Sequence, residues 1–509
     1  MINRRNFLNQ TLTIAASLLL SSYKKIEPLF STSPSVANTL LGRISNNSAC
    51  LNVYLNMDAE IVVLFGINEQ QLKLSTRSYN LIKNQPEEIT LGGLKEHTRY
   101  YYQIHTKEKG KSTMLSGGSF MTQRKKNSNF VFTVTADSHL GTAKHCNPAL
   151  YQQTLENLAK DQPDLHFSMG DDFRTSKVHE PDYNKIEKLY YDQRHHLGSV
   201  FHSIPYYFIL GNHELEAKAY DNGSNDCLSA WSSTARKKFI PNPVPDNFFS
   251  GNQDKDAQQN YYAFEWGDVL FVTLDVFRYS NFSAEDEEMK EKNKQNMEGL
   301  SKEERMAIRA EREKNKGEGK GEKGGGKQGK GGKDRWAFTI GDNQYRWLKE
   351  TLENSKAKYK IVLAHHVMGS CRGGVECAHQ FEWGGQSNKG VNEFKSQRPN
   401  WEMPIHQLMV QHHVTAFIQG HDHLFSRQEK DGLTYITCPM SGDPGYNAYN
   451  ANAYLSGDQL SNTGHLRFEV SKNDLRMQYI RSVLAKDETA QGKNATVAYH
   501  WSFTKNSKI

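Results

Sequence analysis

The chain has 509 residues, 37% of them hydrophobic and 24% charged, with a net charge of +6 at neutral pH. That length leaves room for more than one domain and a large core. Much of the basic balance lies in one Gly/Lys-rich segment without interleaved aromatic residues, so the charge does not argue for a strand-binding groove, and no specific nucleic acid is expected as a partner.

The N-terminal segment 1–37 reads as an export signal and leader. Arginines precede a short apolar run, 11–20, and polar sequence follows. A membrane span needs about 20 apolar residues, so none is expected in the mature protein. Arg4-Arg5-Asn6-Phe7-Leu8 resembles the twin-arginine signal, which is read by a dedicated export machinery, and this implies a periplasmic or secreted protein. No cysteine follows the apolar run, so a lipid anchor is not indicated. From 38 to 124 the pattern is one of short strands (49–55, 60–65 and 99–105) joined by polar turns, as in a small all-β sandwich. Leu94 to Tyr100 resembles the corner of fibronectin-type sandwiches, in which a tyrosine hydroxyl bonds back to the chain; Glu96 stands where that corner often has proline.

From 128 to 485 apolar runs alternate with longer helical stretches, the pattern of an α/β sheet. Five of these runs (130–136, 165–169, 206–210, 361–364 and 414–419) end directly in polar motifs. The motifs are Asp137-Ser138-His139, Gly170-Asp171-Asp172, Gly211-Asn212-His213-Glu214, His365-His366 and Gly420-His421-Asp422-His423. In an open α/β sheet the binding crevice lies at the carboxyl ends of the strands, where all five fall. Carboxylate, imidazole and amide oxygen without cysteine suit borderline divalent metals rather than a thiolate zinc site. The donors are too many for one ion and suit two ions sharing a carboxylate.

Residues 284–334 read as an insertion, first dense in Glu, Lys and Arg and then a Gly/Lys linker with nothing to bury. It is either a plain flexible loop or a basic tether for polyanions or anionic lipid. The glycine-containing stretch 370–385 lies between two motif strands, so it is expected to overhang the site; Arg372 would there contact a substrate phosphate or make a structural salt bridge. Six cysteines show no metal-knuckle spacing, and only Cys371 and Cys377 are near enough in sequence to suggest a disulfide. Residues 486–509 are expected as a C-terminal tail.

In their order and residues, the five motifs resemble the calcineurin-like metallophosphoesterase superfamily, D-x-H, G-D, G-N-H-[DE], H and G-H-x-H, over roughly 129–483. The resemblance implies a four-layer αββα sandwich behind the small all-β domain. It also implies two divalent ions, Zn, Mn or Fe. Asp137, His139 and His423 would hold the first, Asn212, His365 and His421 the second, and Asp171 would bridge them. A bridging carboxylate holds two cations at roughly 3.5–4 Å and makes hydroxide available as the nucleophile. His213 would face the substrate as hydrogen-bond or proton donor to the leaving oxygen. Glu214 would orient an imidazole or be an ordinary helix-start carboxylate. His365 follows the apolar strand directly, as the family's ligand does, and His366 remains the alternative because adjacent strand residues point to opposite sides.

A β-sandwich ahead of such a domain resembles the purple acid phosphatase layout. Two departures stand out: the tyrosinate of those enzymes would fall at Arg174, and the first-motif histidine they lack is present as His139. The expected function is an exported phosphoesterase on small phosphate esters, monoesterase favoured, with phosphodiesterase or nucleotidase as the alternative. A non-catalytic surface-binding protein is the remote one.

Overall fold

The computed structural model describes residues 37–108, 111–175, 178–253, 258–280, 335–367, 372–490 and 492–503. The leader, the twin-arginine motif and the insertion 284–334 lie outside the described residues. No helix among the described residues is long and apolar enough to cross a membrane.

The N-terminal strands form two antiparallel sheets. One contains Ala37–Gly42, Ser48–Leu55 and Glu87–Gly92; the other is built on Ala59–Gly66, Arg99–Glu108 and Lys111–Met121. Leu51, Val53, Ile61, Val63, Ile89 and Ile104 are buried between them. Each such side chain contributes roughly 1.5–3 kcal/mol by leaving water. The expected corner is present: the Lys95 N–H donates to the Tyr100 hydroxyl at 3.0 Å, with threonine rather than proline chemistry around it, since Thr122 Oγ1 donates to the Lys95 carbonyl at 2.7 Å.

Behind this lies a mixed six-stranded sheet. Its order is Tyr206–Phe208, Leu165–Ser168, Phe130–Thr135, Gly464–Val470, Leu475–Arg481 and Val497–Ser502. The first three are parallel and the rest antiparallel. Val497–Ser502 falls in the expected C-terminal tail, yet it pairs along Leu475–Arg481 as an edge strand. An eight-stranded sheet faces this one, with Val269–Leu274, Tyr359–Ala364 and Ala416–Gln419 parallel at its centre. Phe132 ties the two sheets, stacking on Phe468 at 4.4 Å and meeting Phe271 edge-on at 4.9 Å.

Helices cover the outer faces. Pro148–Lys160 starts where the Asn147 side chain accepts the Ala149 and Leu150 N–H groups, with proline pre-set for the first turn. Its Leu150, Tyr151, Leu155 and Leu158 pack with Ile186 and Tyr190 of Tyr183–Leu197 and with Tyr206 and Phe208 beneath. Gly341–Asn354 and Ile405–Gln411 cover the other sheet through Tyr345, Leu348, Leu352, Leu408 and Met409. The region after the N-terminal strands is therefore α/β in four layers, αββα, as expected.

Candidate metal centre

At each motif the chain leaves its strand abruptly. Asp137, His139, Asp171, His421 and His423 have φ of 52°, 47°, 55°, 69° and 59°, the left-handed region that non-glycine residues seldom occupy. Such turns persist only where surrounding contacts fix them. Here the Asp137 N–H donates to the Gly170 carbonyl at 3.1 Å and the His139 N–H to the Asp171 carbonyl at 3.0 Å. The His421 N–H donates to Asp137 Oδ2, and the His213 N–H to Asp171 Oδ1, both at 2.8 Å. A Cβ on Gly211 would lie 2.3 Å from Asp171 Oδ1, so only glycine lets those two loops meet.

Glu214 is buried and accepts three backbone N–H groups: Gly211 at 2.7 Å, Asp171 at 3.1 Å and Asp172 at 3.1 Å. The helix-start expectation holds, since Glu214 ends the first turn of the short helix Asn212–Glu214 and caps it through the Gly211 N–H; beyond that it clamps the second motif loop to the third.

The expected donors converge. Asp137, His139 and His423 form one group, and Asp171, His365 and His421 another, with the ligand atoms of each group within 4.8 Å of one another. A third group joins His139, Asp171 and His213, so Asp171 is common to both sides. The Nε2 atoms of His139 and His423 are 3.0 Å apart, and Asp137 Oδ1 is 3.2 Å from the latter. Asp171 Oδ2 is 3.2 Å from His365 Nε2, whose other ring nitrogen meets the Met169 carbonyl at 2.7 Å. That second contact fixes the ring and directs Nε2 toward the carboxylate.

The electrostatics match a cation-binding cluster. Burial pushes the His139 and His421 imidazoles well below the ordinary histidine range, aided by His423 for the first and Arg372 for the second, which leaves them neutral. Burial works to raise Asp171, but His365, His213 and His139 outweigh it and hold this carboxyl well below the usual range. Asn212 Oδ1, His421 Nε2 and Asp137 Oδ1 are buried without a hydrogen-bond partner among the described residues. Each such atom costs about 1–3 kcal/mol, a penalty that a coordinated cation removes. The donor set thus fits divalent ions.

Of the two adjacent histidines, His365 joins the donor group. His366 packs its ring edge-on against Phe277 at 4.7 Å and His421 at 4.8 Å. Arg372 makes a salt bridge beside the cluster: Nη1 lies 3.1 Å from Asp422 Oδ1 and 2.6 Å from the His421 carbonyl. Asp422 also accepts the Gly373 N–H at 2.8 Å and the Tyr454 hydroxyl at 2.7 Å, which secures the last motif to two loops. Arg174 is buried and its charge acts on His139. Cys377 is disulfide-bonded, and its expected partner Cys371 lies outside the described residues. Sequence reasoning missed His145, whose ring lies 5.7 Å from His139 and 5.5 Å from His423; a lone histidine in a loop carries no pattern.

A calcineurin-like phosphoesterase family model matches residues 130–425. No curated protein matches. The solved structure of PhoD is similar at 14% identity, covering 94% of this chain and 92% of that one with a TM-score of 0.61, a likeness of fold. GAP50, an inner-membrane-complex anchor of Plasmodium, is 12% identical over 74% of this chain and 89% of its own, with a TM-score of 0.35.

Proposed function

The chain belongs to the calcineurin-like phosphoesterase family and is a metal-dependent phosphoester hydrolase; we propose that it is an exported enzyme acting on small-molecule phosphate monoesters with two divalent cations. The convergence of Asp137, His139 and His423 beside Asp171, His365 and His421 carries this reading. In it the first three hold one cation, Asn212, His365 and His421 hold the second, and Asp171 is shared. Bound there, the cations supply a lowered water pKa near neutral pH and neutralise charge on the phosphoryl oxygens. Oxygen and nitrogen donors without thiolate favour Zn, Mn or Fe.

The chain's own groups do the rest. His213 keeps 18% of its side-chain exposure, against 0% for His365 and 1% for His139. Its backbone is tied to Asp171, and its Nε2 lies 3.9 Å from Asp171 Oδ2. A half-open imidazole at the rim of the cluster suits a hydrogen-bond or proton donor to the leaving oxygen. Glu214 keeps Asp171 and His213 in fixed relation by holding both loops.

Hydrolysis of p-nitrophenyl phosphate, bis-p-nitrophenyl phosphate and nucleotides by the full chain tests the reading. The monoester is expected to be cleaved fastest, with activity lost on chelation and restored by Mn or Zn. Faster cleavage of the diester would replace monoesterase by phosphodiesterase, and no cleavage of any ester by metal-loaded protein would overturn the reading.

A further inference from the structure

Two imidazoles outside the proposed ligand set flank His139. His213 meets it edge-on at 5.3 Å; His145 lies at 5.7 Å. The loop that carries His145 is pinned at both ends. The Thr142 N–H donates to the His139 carbonyl at 3.0 Å, the His145 N–H to the Thr142 carbonyl at 2.8 Å, and the Asn147 N–H to the Gly442 carbonyl at 2.8 Å. The residue is buried at 9% exposure, and its ring stands edge-on to His423 and to Tyr449, each at 5.5 Å. Tyr449 is itself fixed, its N–H on the His423 carbonyl at 3.1 Å and its hydroxyl on Asp443 Oδ1 at 3.3 Å.

The side on which His145 stands is the informative point. Within the cluster His423 and His213 retain 14% and 18% side-chain exposure, while Asp171 and His365 are closed at 2% and 0%. The open face is therefore the one that His423 and His213 border, and His145 packs on His423 beside the exposed residues Gly141, Ala143 and Lys144. His145 belongs to none of the donor groups. The His145 ring, centred 5.5 Å from His423 and 5.7 Å from His139, stands beside the donor group without joining it.

We propose that His145 is a further substrate-contacting residue, donating a ring N–H to a phosphoryl oxygen seated beside the Asp137, His139 and His423 cluster. The inference rests on the phosphoesterase reading above. It pairs His145 with His213 across His139, one on a phosphoryl oxygen and the other on the leaving oxygen. Either neutral tautomer or the imidazolium has an N–H to give, so the contact needs no particular charge on the ring.

The test compares the metal-loaded wild type with His145→Phe, which keeps a packed ring without a donor, and His145→Gln, which keeps a donor without the ring. Inorganic phosphate is the probe, by calorimetry and by competitive inhibition, with metal content measured on each protein. In His145→Phe both metals should remain, phosphate binding should weaken by about 10-fold or more, the worth of one hydrogen bond to a charged group, and KM should rise by more than kcat falls. His145→Gln should recover part of the affinity. Unchanged phosphate binding in His145→Phe overturns the proposal, as does equal loss in both variants, which would make His145 a packing ring, or loss of metal, which would make it a support of the ligands. If the wild type neither binds phosphate nor cleaves an ester, the phosphoesterase reading itself fails and this inference falls with it.

Discussion

Asp171 and His213 are joined by a backbone hydrogen bond, yet substitutions at the two should separate cleanly. Asp171 is buried, and the neighbouring imidazoles keep it ionised against the effect of burial. Removing its charge while keeping its shape takes away the carboxylate common to both donor groups. Asp171→Asn is therefore expected to lower metal content together with turnover. His213 stands at the open rim and contributes no buried unpaired atom, so His213→Ala should keep both metals and slow the chemistry by roughly 10²–10⁴-fold, the usual worth of a positioned proton donor. The deficit should shrink for p-nitrophenyl phosphate relative to alkyl phosphates, because a good leaving group needs little protonation. Elemental analysis beside a leaving-group series decides the matter. An emptied metal site in His213→Ala, or an equal deficit for good and poor leaving groups, would make His213 a ligand or a phosphate-positioning group instead.

At the level of elements, the strand ends were legible because each apolar run stops at a polar motif and the carboxyl edge of the sheet collects them. What a pattern cannot carry is a contact made through backbone. Glu214 was legible as a helix-start residue, but not its two further bonds to the Asp171 and Asp172 N–H groups on another loop. Val497–Ser502 escaped notice because a half-exposed edge strand shows no clean alternation. The union of the N-terminal strands with the second region was equally hidden, since its polar contacts, such as the Tyr102 hydroxyl on the His202 carbonyl at 2.7 Å and those of Arg194, join residues about 100 or more apart in sequence. Arg194 of Tyr183–Leu197 is fully buried; Nη1 donates to Asn52 Oδ1 at 2.7 Å and the Phe239 carbonyl at 2.8 Å, and Nη2 to the Asn52 and Asn38 carbonyls at 2.6 and 3.0 Å. Burial without a carboxylate partner pushes this guanidinium down to about 9. Arg194→Met keeps the volume and strands several buried acceptors, each costing about 1–3 kcal/mol. Denaturant unfolding should show a loss of about 2 kcal/mol or more by the same arithmetic, while metal content at room temperature stays unchanged. An unaltered unfolding midpoint would show that the interface is held by its apolar contacts and not by Arg194.

Across the whole molecule, the donors come from positions as far apart as Asp137 and His423, and no donor group is local in sequence. Binding of the cations is thereby coupled to completion of the fold: an unfolded chain offers scattered side chains of low affinity, and only the assembled sheets bring them within 4.8 Å of one another. A chain of this kind gains from folding where its metals are supplied and from travelling afterwards. Arg4-Arg5 ahead of the apolar run 11–20 motivates the proposal that it does so by the twin-arginine route, which carries folded proteins. Replacing both arginines by lysine keeps the charge and removes the signal. In cells making the full chain, fractionation should then find the Arg4→Lys, Arg5→Lys double variant retained in the cytoplasm, folded and carrying metal, while the wild type is recovered outside it. Equal export of the two would exclude the twin-arginine machinery. Retained but metal-free protein would instead place metal loading after transport and break the link between assembly and route.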